Sequence, residues 1–262
     1  AKLLLSGHAD DRLALVCGAQ RLSYGQLRRR VACAAAVWRA RGLRAGDRVA
    51  IKLPDGIDWV VAFLGTIWAG GVAVAVNPHI PAPEWRYILD EAGFNVIVAE
   101  KTDDTPEPWR SRIILLEDGQ RAVAAAEPID AVLVDDTTPA FWCHSSGSSG
   151  KPKAVVHGHR FAREIERVSR ERLGITPDDR LFATSRLFFS YPQTNSLYAG
   201  LRIGATVILD PHANGGAAMS LPSTWGIGRV RPGRPPRTHR SRRLSATAWT
   251  STTAWPGPAV GS

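Results

Sequence analysis

Over the first 210 residues, short apolar runs rich in β-branched residues alternate with stretches whose apolar positions recur at helical spacing. This alternation restricts the chain to α/β folds in which largely parallel sheets are layered with flanking helices. Ser23 and Gln26 have the spacing of a capping box, and Leu27, Val31, Ala35 and Trp38 then follow at intervals of four, four and three. With Gly42 as a stop, a helix is expected over 24–41. Further helices are expected at 57–69, from Pro83 to just before Gly93, at 159–173 and at 195–202. Strands are expected at 49–53, 72–76, 96–98, 113–116, 140–144, 154–157, 181–184 and 206–209. Pro54-Asp55-Gly56 and Thr176-Pro177-Asp178-Asp179 read as turns, and 101–108 as a surface loop. The acidic pairs Asp103-Asp104, Asp135-Asp136 and Asp178-Asp179 read as solvated turn residues, because adjacency alone does not give acid–base geometry.

The 262-residue chain has a formal net charge of +9, which by itself suggests a nucleic-acid partner. The distribution argues against one. Residues 221–262 hold seven arginines and no Lys, Asp or Glu, whereas 1–220 hold 26 basic and 24 acidic groups. The body is therefore nearly neutral. The tail, with Arg-Pro-Gly-Arg-Pro-Pro-Arg at 231–237, has no sustained period and few aliphatic residues to offset the entropy of ordering. Two parts are expected: a body over 1–220 and a disordered basic tail over 221–262. Its composition matches a GC-rich gene read out of frame, so a frameshift near Ser220 is expected.

Residues 59–76 are uncharged over 18 positions, near the length of a membrane span. Gly70-Gly71 divides the stretch and β-branched residues follow, so a buried helix, a turn and a buried strand are expected instead, with no membrane span. Cys17, Cys33 and Cys143 form no CxxC pair and indicate neither a zinc site nor a disulfide framework. Residues 1–5 are too short for a signal-peptide core, and a cytoplasmic location is expected.

The strongest chemical signal is Ser145-Ser146-Gly147-Ser148-Ser149-Gly150-Lys151-Pro152-Lys153. Six small residues allow close backbone approach, and successive N–H groups can form an anion-binding nest. Four hydroxyls and two lysines add donors and mobile charge, a combination suited to a polyphosphate. It is not a Walker A loop: Ser145 stands where the first Gly is required, and Pro152 follows the lysine in place of Ser or Thr. Apolar runs on both sides argue against a linker. His157 and His159 at i, i+2 make a weak metal signal, and no metal site is expected. His144 is expected to be packed or solvated.

Continued through Ala154-Val155-Val156-His157-Gly158-His159, this loop resembles the phosphate loop of the adenylate-forming superfamily, which includes acyl- and aryl-CoA synthetases. Other similar segments follow the family's order: Leu22 to Leu27, Gly46 to Ile51, Phe63 through Gly71 to Pro78, Glu84 to Leu89, and Gly204 to Leu209. Leu187-Phe188-Phe189-Ser190-Tyr191 resembles the aromatic motif of the benzoate-CoA ligase branch. The resemblance covers about residues 10 to 220. Serines at 148 and 149 replace the family's usual threonines but keep the hydroxyls, Ala154 replaces a usual Gly, and Trp142 a smaller apolar residue.

The resemblance implies ATP-dependent activation of a carboxylic acid, aromatic and benzoate-like, through an acyl-adenylate to a CoA thioester. ATP with Mg²⁺ and coenzyme A would be the co-substrates. Ser145, Ser146, Gly147, Ser148, Ser149, Gly150, Lys151 and Lys153 would bind the nucleotide, and Tyr191 would lie at the acyl pocket. The alternative for Phe188, Phe189 and Tyr191 is a set of core aromatics. The family's later Tyr-Gly-x-Thr-Glu and ribose-binding Asp motifs have no counterpart here, so no catalytic residue is assigned. The expectation is an incomplete N-terminal portion of such an enzyme, unable to complete the reaction alone. The rivals are an inactive phosphate- or nucleotide-binding fragment and a nucleic-acid-binding protein acting through its basic tail.

Overall fold

The computed structural model describes residues 1–102, 104–146, 151–210 and 228–230. Helix α1 (Lys2–Leu5) is one turn that buries Leu4 and Leu5. Strands β1 (Leu13–Cys17) and β2 (Gln20–Ser23) form an antiparallel hairpin that sequence periodicity did not announce. Ser23 opens α2 (Tyr24–Ala40) with the expected capping box: Gln26 N–H donates to Ser23 Oγ at 3.2 Å, and Ser23 N–H to Gln26 Oε1 at 2.9 Å. Then come β3 (Arg48–Lys52), α3 (Ile57–Trp68), β4 (Val72–Ala75), α4 (Ala82–Ala92), β5 (Val96–Ala99), β6 (Ile113–Leu115) and α5 (Leu116–Ala125). Strands β7 (Pro139–Ser146) and β8 (Pro152–Gly158) form a long antiparallel hairpin. Helix α6 (Phe161–Arg167) runs on as a π-helical stretch, Val168–Arg172, followed by β9 (Arg180–Phe182). Helix α7 (Ser190–Pro192) continues through a π-helical Gln193–Tyr198 into α8 (Ala199–Ile203), and β10 (Thr206–Leu209) follows. The last described element is β11 (Gly228–Val230).

Among the described residues there are two sheets, ordered β11-β9-β10-β1-β2 and β6-β5-β3-β4-β7-β8. Strands β6, β5, β3, β4 and β7 are mutually parallel, as are β1, β10 and β9, and antiparallel pairs occur at the sheet ends. The larger sheet divides its side chains by the two-residue period of a strand. Val49, Ile51, Ala73, Ala75, Phe141 and Cys143 join the core that holds α2 and α3. Ala50, Val74, Ile97 and Trp142 face the other way, toward Trp85, Ile88 and Leu89 of α4. A sheet covered on both faces needs near-continuous apolar strands, as the sequence of these strands has.

Residues 59–76 are the buried helix, turn and strand expected, and among the described residues no helix is long and apolar enough to cross a membrane. The structure departs from these expectations at several points. The helical region before β10 begins at Ser190 and not at 195, and α5 was missed altogether. The loop 101–108 is partly built into the core: Thr105 is buried and accepts from Trp85 Nε1 at 3.1 Å, and Asp104 pairs with buried Lys52 at 2.6 Å. Asp179 is likewise buried, its Oδ2 accepting from the Thr176 N–H at 2.7 Å and hydroxyl at 3.0 Å, so it caps the turn and is not solvated. Within 221–262, the three residues of β11 depart from the expected lack of structure by pairing with β9. The remainder of that tail, and the proposed frameshift point, lie outside the described residues.

Candidate functional site

Because β3, β4 and β7 are parallel, the segments that leave their carboxyl ends emerge at one edge of the larger sheet, the usual place for a ligand in such sheets. The Ser/Gly loop leaves β7 at this edge. Gly147, Ser148, Ser149 and Gly150 lie outside the described residues, and only the backbone of Ser146 is described. The loop's two arms are held in register, with His144 opposite Ala154, Ser145 opposite Lys153 and Ser146 opposite Pro152. Lys151 and Lys153 are exposed.

Strand alternation sends neighbouring β7 residues into different environments. On the α4 side, His144 Nε2 lies 3.9 Å from Glu91 Oε2, and Lys151 Nζ lies 5.3 Å from the centroid of the Tyr87 ring. Burial raises the Glu91 carboxyl and pushes the His144 imidazole down, and because the ring is then neutral near neutral pH the contact is no full ion pair. On the opposite side, the Cys143 thiol, pushed up to about 12 by burial and thus protonated, donates to Gln193 Oε1 at 3.3 Å. Gln193 Nε2 donates to the Leu187 carbonyl at 2.7 Å. The Leu187 N–H in turn donates to both Asp55 oxygens, at 3.1 and 3.0 Å. A continuous set of hydrogen bonds thus joins the strand that leads into the loop to the segment Leu187–Tyr191 and to the turn after β3.

Phe189 and Tyr191 are 49% and 50% exposed, so the reading of this segment as simply core aromatics fails for those two rings. Phe188 packs against the core and against Phe189. His157 stacks on Phe141 with centroids 4.5 Å apart, and burial lowers its pKa; burial takes His159 down to about 4. Among the described residues no three His, Cys, Asp or Glu are grouped to hold a metal ion. A cavity of about 480 Å³ opens between α2, α3 and α5, lined by Cys33, Trp38, Val61, Leu116 and Val123 and by no residue of the loop arms or aromatic segment.

Asp55, Gln193, Tyr87 and Glu91 were not singled out from sequence. Asp55 carried only a turn signal in Pro-Asp-Gly, Gln193 falls before the helix expected at 195–202, and Tyr87 and Glu91 lie in a helical stretch where nothing local marks them.

The family model described as "AMP-binding enzyme" matches residues 5–221. A 3-hydroxybenzoate–CoA/4-hydroxybenzoate–CoA ligase of Thauera aromatica is 31% identical over 223 residues, covering 77% of this chain and 42% of the relative. A 3-hydroxybenzoate–CoA ligase of Aromatoleum sp. (strain CIB) is 33% identical over 219 residues, covering 76% of this chain and 41% of the relative. Among solved structures, a benzoate CoA ligase from Burkholderia xenovorans LB400 superposes with a TM-score of 0.72 at 26% identity, over 80% of this chain and 44% of that one. The chain thus spans about two fifths of the length of these ligases.

Proposed function

The chain belongs to the AMP-binding enzyme family, and from that premise we propose that it forms the phosphate-loop and acyl-site portion of an ATP-dependent aromatic acid–CoA ligase. In the first half-reaction a carboxylate oxygen attacks the α-phosphorus of ATP, and pyrophosphate leaves with the electron pair of the broken P–O bond. In the second, the thiolate of coenzyme A attacks the acyl carbon and AMP departs. Neither step needs a side-chain nucleophile; the protein's task is to orient anions and to neutralise developing charge. The loop from Ser145 to Lys153 would grip the β- and γ-phosphates, with hydroxyls from Ser148 and Ser149 and charge from Lys151 and Lys153. Magnesium would arrive with ATP as part of the substrate complex. Tyr191 would face the acyl group.

The observation that supports this reading most is that the loop arms and the aromatic segment are tied to the same strand, through Cys143 and Gln193, at the carboxyl edge of the sheet. The relatives' names supply the aromatic acid class. The test is ATP–pyrophosphate exchange by the purified chain with benzoate or a hydroxybenzoate. Exchange that requires the acid supports the ligase reading. MgATP binding without exchange would leave a nucleotide-binding role alone, and no MgATP binding would remove both.

A further inference from the structure

We propose that Asp55 is a positioning residue for the aromatic segment: by accepting the Leu187 N–H with both carboxylate oxygens it sets where Phe189 and Tyr191 stand at the edge of the sheet. Only the functional consequence of this role rests on reading Tyr191 as facing the acyl group. Asp55 follows β3 of the larger sheet, while Leu187 follows β9 of the smaller one, so the contact crosses between the two sheets. Asp55 is 7% exposed. A buried carboxylate is unfavourable unless its oxygens find donors, and here they converge on one backbone amide. Gln193 holds the carbonyl of the same residue at 2.7 Å, so Leu187 is fixed at both its amide and its carbonyl. The bonds that follow are local: Phe189 N–H to Arg186 O at 3.0 Å, Thr194 Oγ1 to Ser190 O at 2.7 Å, and Asn195 Nδ2 to Tyr191 O at 3.2 Å. They shape the segment locally, while the Leu187 anchor, the buried Leu187 side chain and the core packing of Phe188 tie it to the body.

The charged groups that act on Asp55 are Arg186 on the same segment and Asp210 after β10, and Asp55 in turn acts on the Cys17 thiol at the end of β1. Burial raises the Asp55 carboxyl to about 6, with Asp210 adding to the rise and the Leu187 N–H and Arg186 opposing it. Protonation turns one of the two acceptor oxygens into a donor, so the anchor changes character within an accessible pH range.

The experiment uses the full chain labelled with 3-fluorotyrosine. It has four tyrosines, Tyr24, Tyr87, Tyr191 and Tyr198, and the ¹⁹F line lost in Tyr191→Phe identifies Tyr191. Asp55→Ala is expected to shift or broaden the Tyr191 line while the Tyr87 line stays in place, and Asp55→Asn, which keeps an acceptor, is expected to restore it. In the wild type the Tyr191 line should titrate near pH 6, and in Asp55→Asn that titration should disappear. A Tyr191 line indifferent to Asp55→Ala, or titrating identically in Asp55→Asn, overturns the proposal. If Asp55→Ala does not fold, the comparison of wild type with Asp55→Asn decides it. Added benzoate separates the two readings: a Tyr191 line that answers to Asp55 but not to benzoate upholds the positioning role and rejects the acyl-site assignment.

Discussion

The Cys143 thiol donates to Gln193 Oε1 at 3.3 Å with both side chains buried, and this contact carries the aromatic segment onto the strand that enters the Ser/Gly loop. Replacing Gln193 with Met keeps roughly the volume but leaves the Leu187 carbonyl and the Cys143 thiol without their partner. An unsatisfied buried carbonyl costs about 1–3 kcal/mol, so Gln193→Met should lower stability by that amount. Urea unfolding followed by tryptophan fluorescence measures it, and a midpoint equal to the wild type's would show that the bond contributes little.

Asp55 makes stability depend on pH in a stated direction. Its carboxyl lies at about 6 in the folded chain, above the ordinary 3.8. The folded state therefore binds the proton more tightly than the unfolded state. Its unfavourable contribution is absent below about pH 4, grows as pH rises to 6, and is constant above. At about 1.4 kcal/mol per unit, the ionised group costs at most about 3 kcal/mol near neutral pH. Asp55→Asn should therefore raise the unfolding midpoint at pH 8 and leave it almost unchanged at pH 4. A variant less stable than wild type at pH 8 would contradict this account.

How much of this was legible in the sequence depends on whether the cause was local. The Ser23–Gln26 capping box, the apolar strands and the glycine-divided stretch at 59–76 are specified by neighbours in the chain, and they stand where expected. The two strands that flank the loop were also legible, as apolar runs on either side of a run of small residues. Asp55 and Leu187 are 132 residues apart, and nothing near either one announces the other. Asp104 and Asp179 looked like free turn residues because the pairing of Asp104 depends on the distant Lys52 and the burial of Asp179 on the fold of the 176–179 turn. Helix α5 escaped because Gly119 interrupts its pattern.

Gly65 on α3 lets that helix approach α2 closely. A methyl group placed there would lie 2.7 Å from Ala34 Cβ and 3.3 Å from Val31 O. Alanine is the better helix former by up to about 1 kcal/mol, but overpacking costs about 1–3 kcal/mol. Gly65→Ala should therefore be net destabilising, and adding Ala34→Gly should recover part of the loss beyond what the single variants predict. A double-mutant cycle by thermal unfolding measures this coupling, and additivity would show that the helices do not meet there.

Lys153 is exposed at the start of the second loop arm, opposite Ser145. If it contacts the polyphosphate, Lys153→Ala removes one charge-assisted contact of about 1.5–3 kcal/mol, which is roughly a 10- to 100-fold loss of MgATP affinity. Lys153→Arg should retain much of the binding. Calorimetric titration of the full chain with MgATP reads both, and equal affinity for wild type and Lys153→Ala takes Lys153 out of the nucleotide site.

Lys52 Nζ lies 2.6 Å from Asp104 Oδ2 and 5.9 Å from the centroid of the Trp85 ring, on the α4 side of the sheet. Lys52 is buried, whereas Asp104 reaches solvent. Breaking a fully buried pair from one side costs about 3–5 kcal/mol, because the remaining charge has no partner. Water at Asp104 lessens that, so Asp104→Ala should cost about 2–3 kcal/mol. Lys52→Met in the Asp104→Ala background removes the stranded ammonium and keeps an unbranched chain against Trp85. It should recover most of the loss, since the pair's attraction is largely offset by desolvation of the lysine. If the double variant is no more stable than Asp104→Ala alone, the loss comes from the 101–108 loop detaching from the core and not from the unpaired charge.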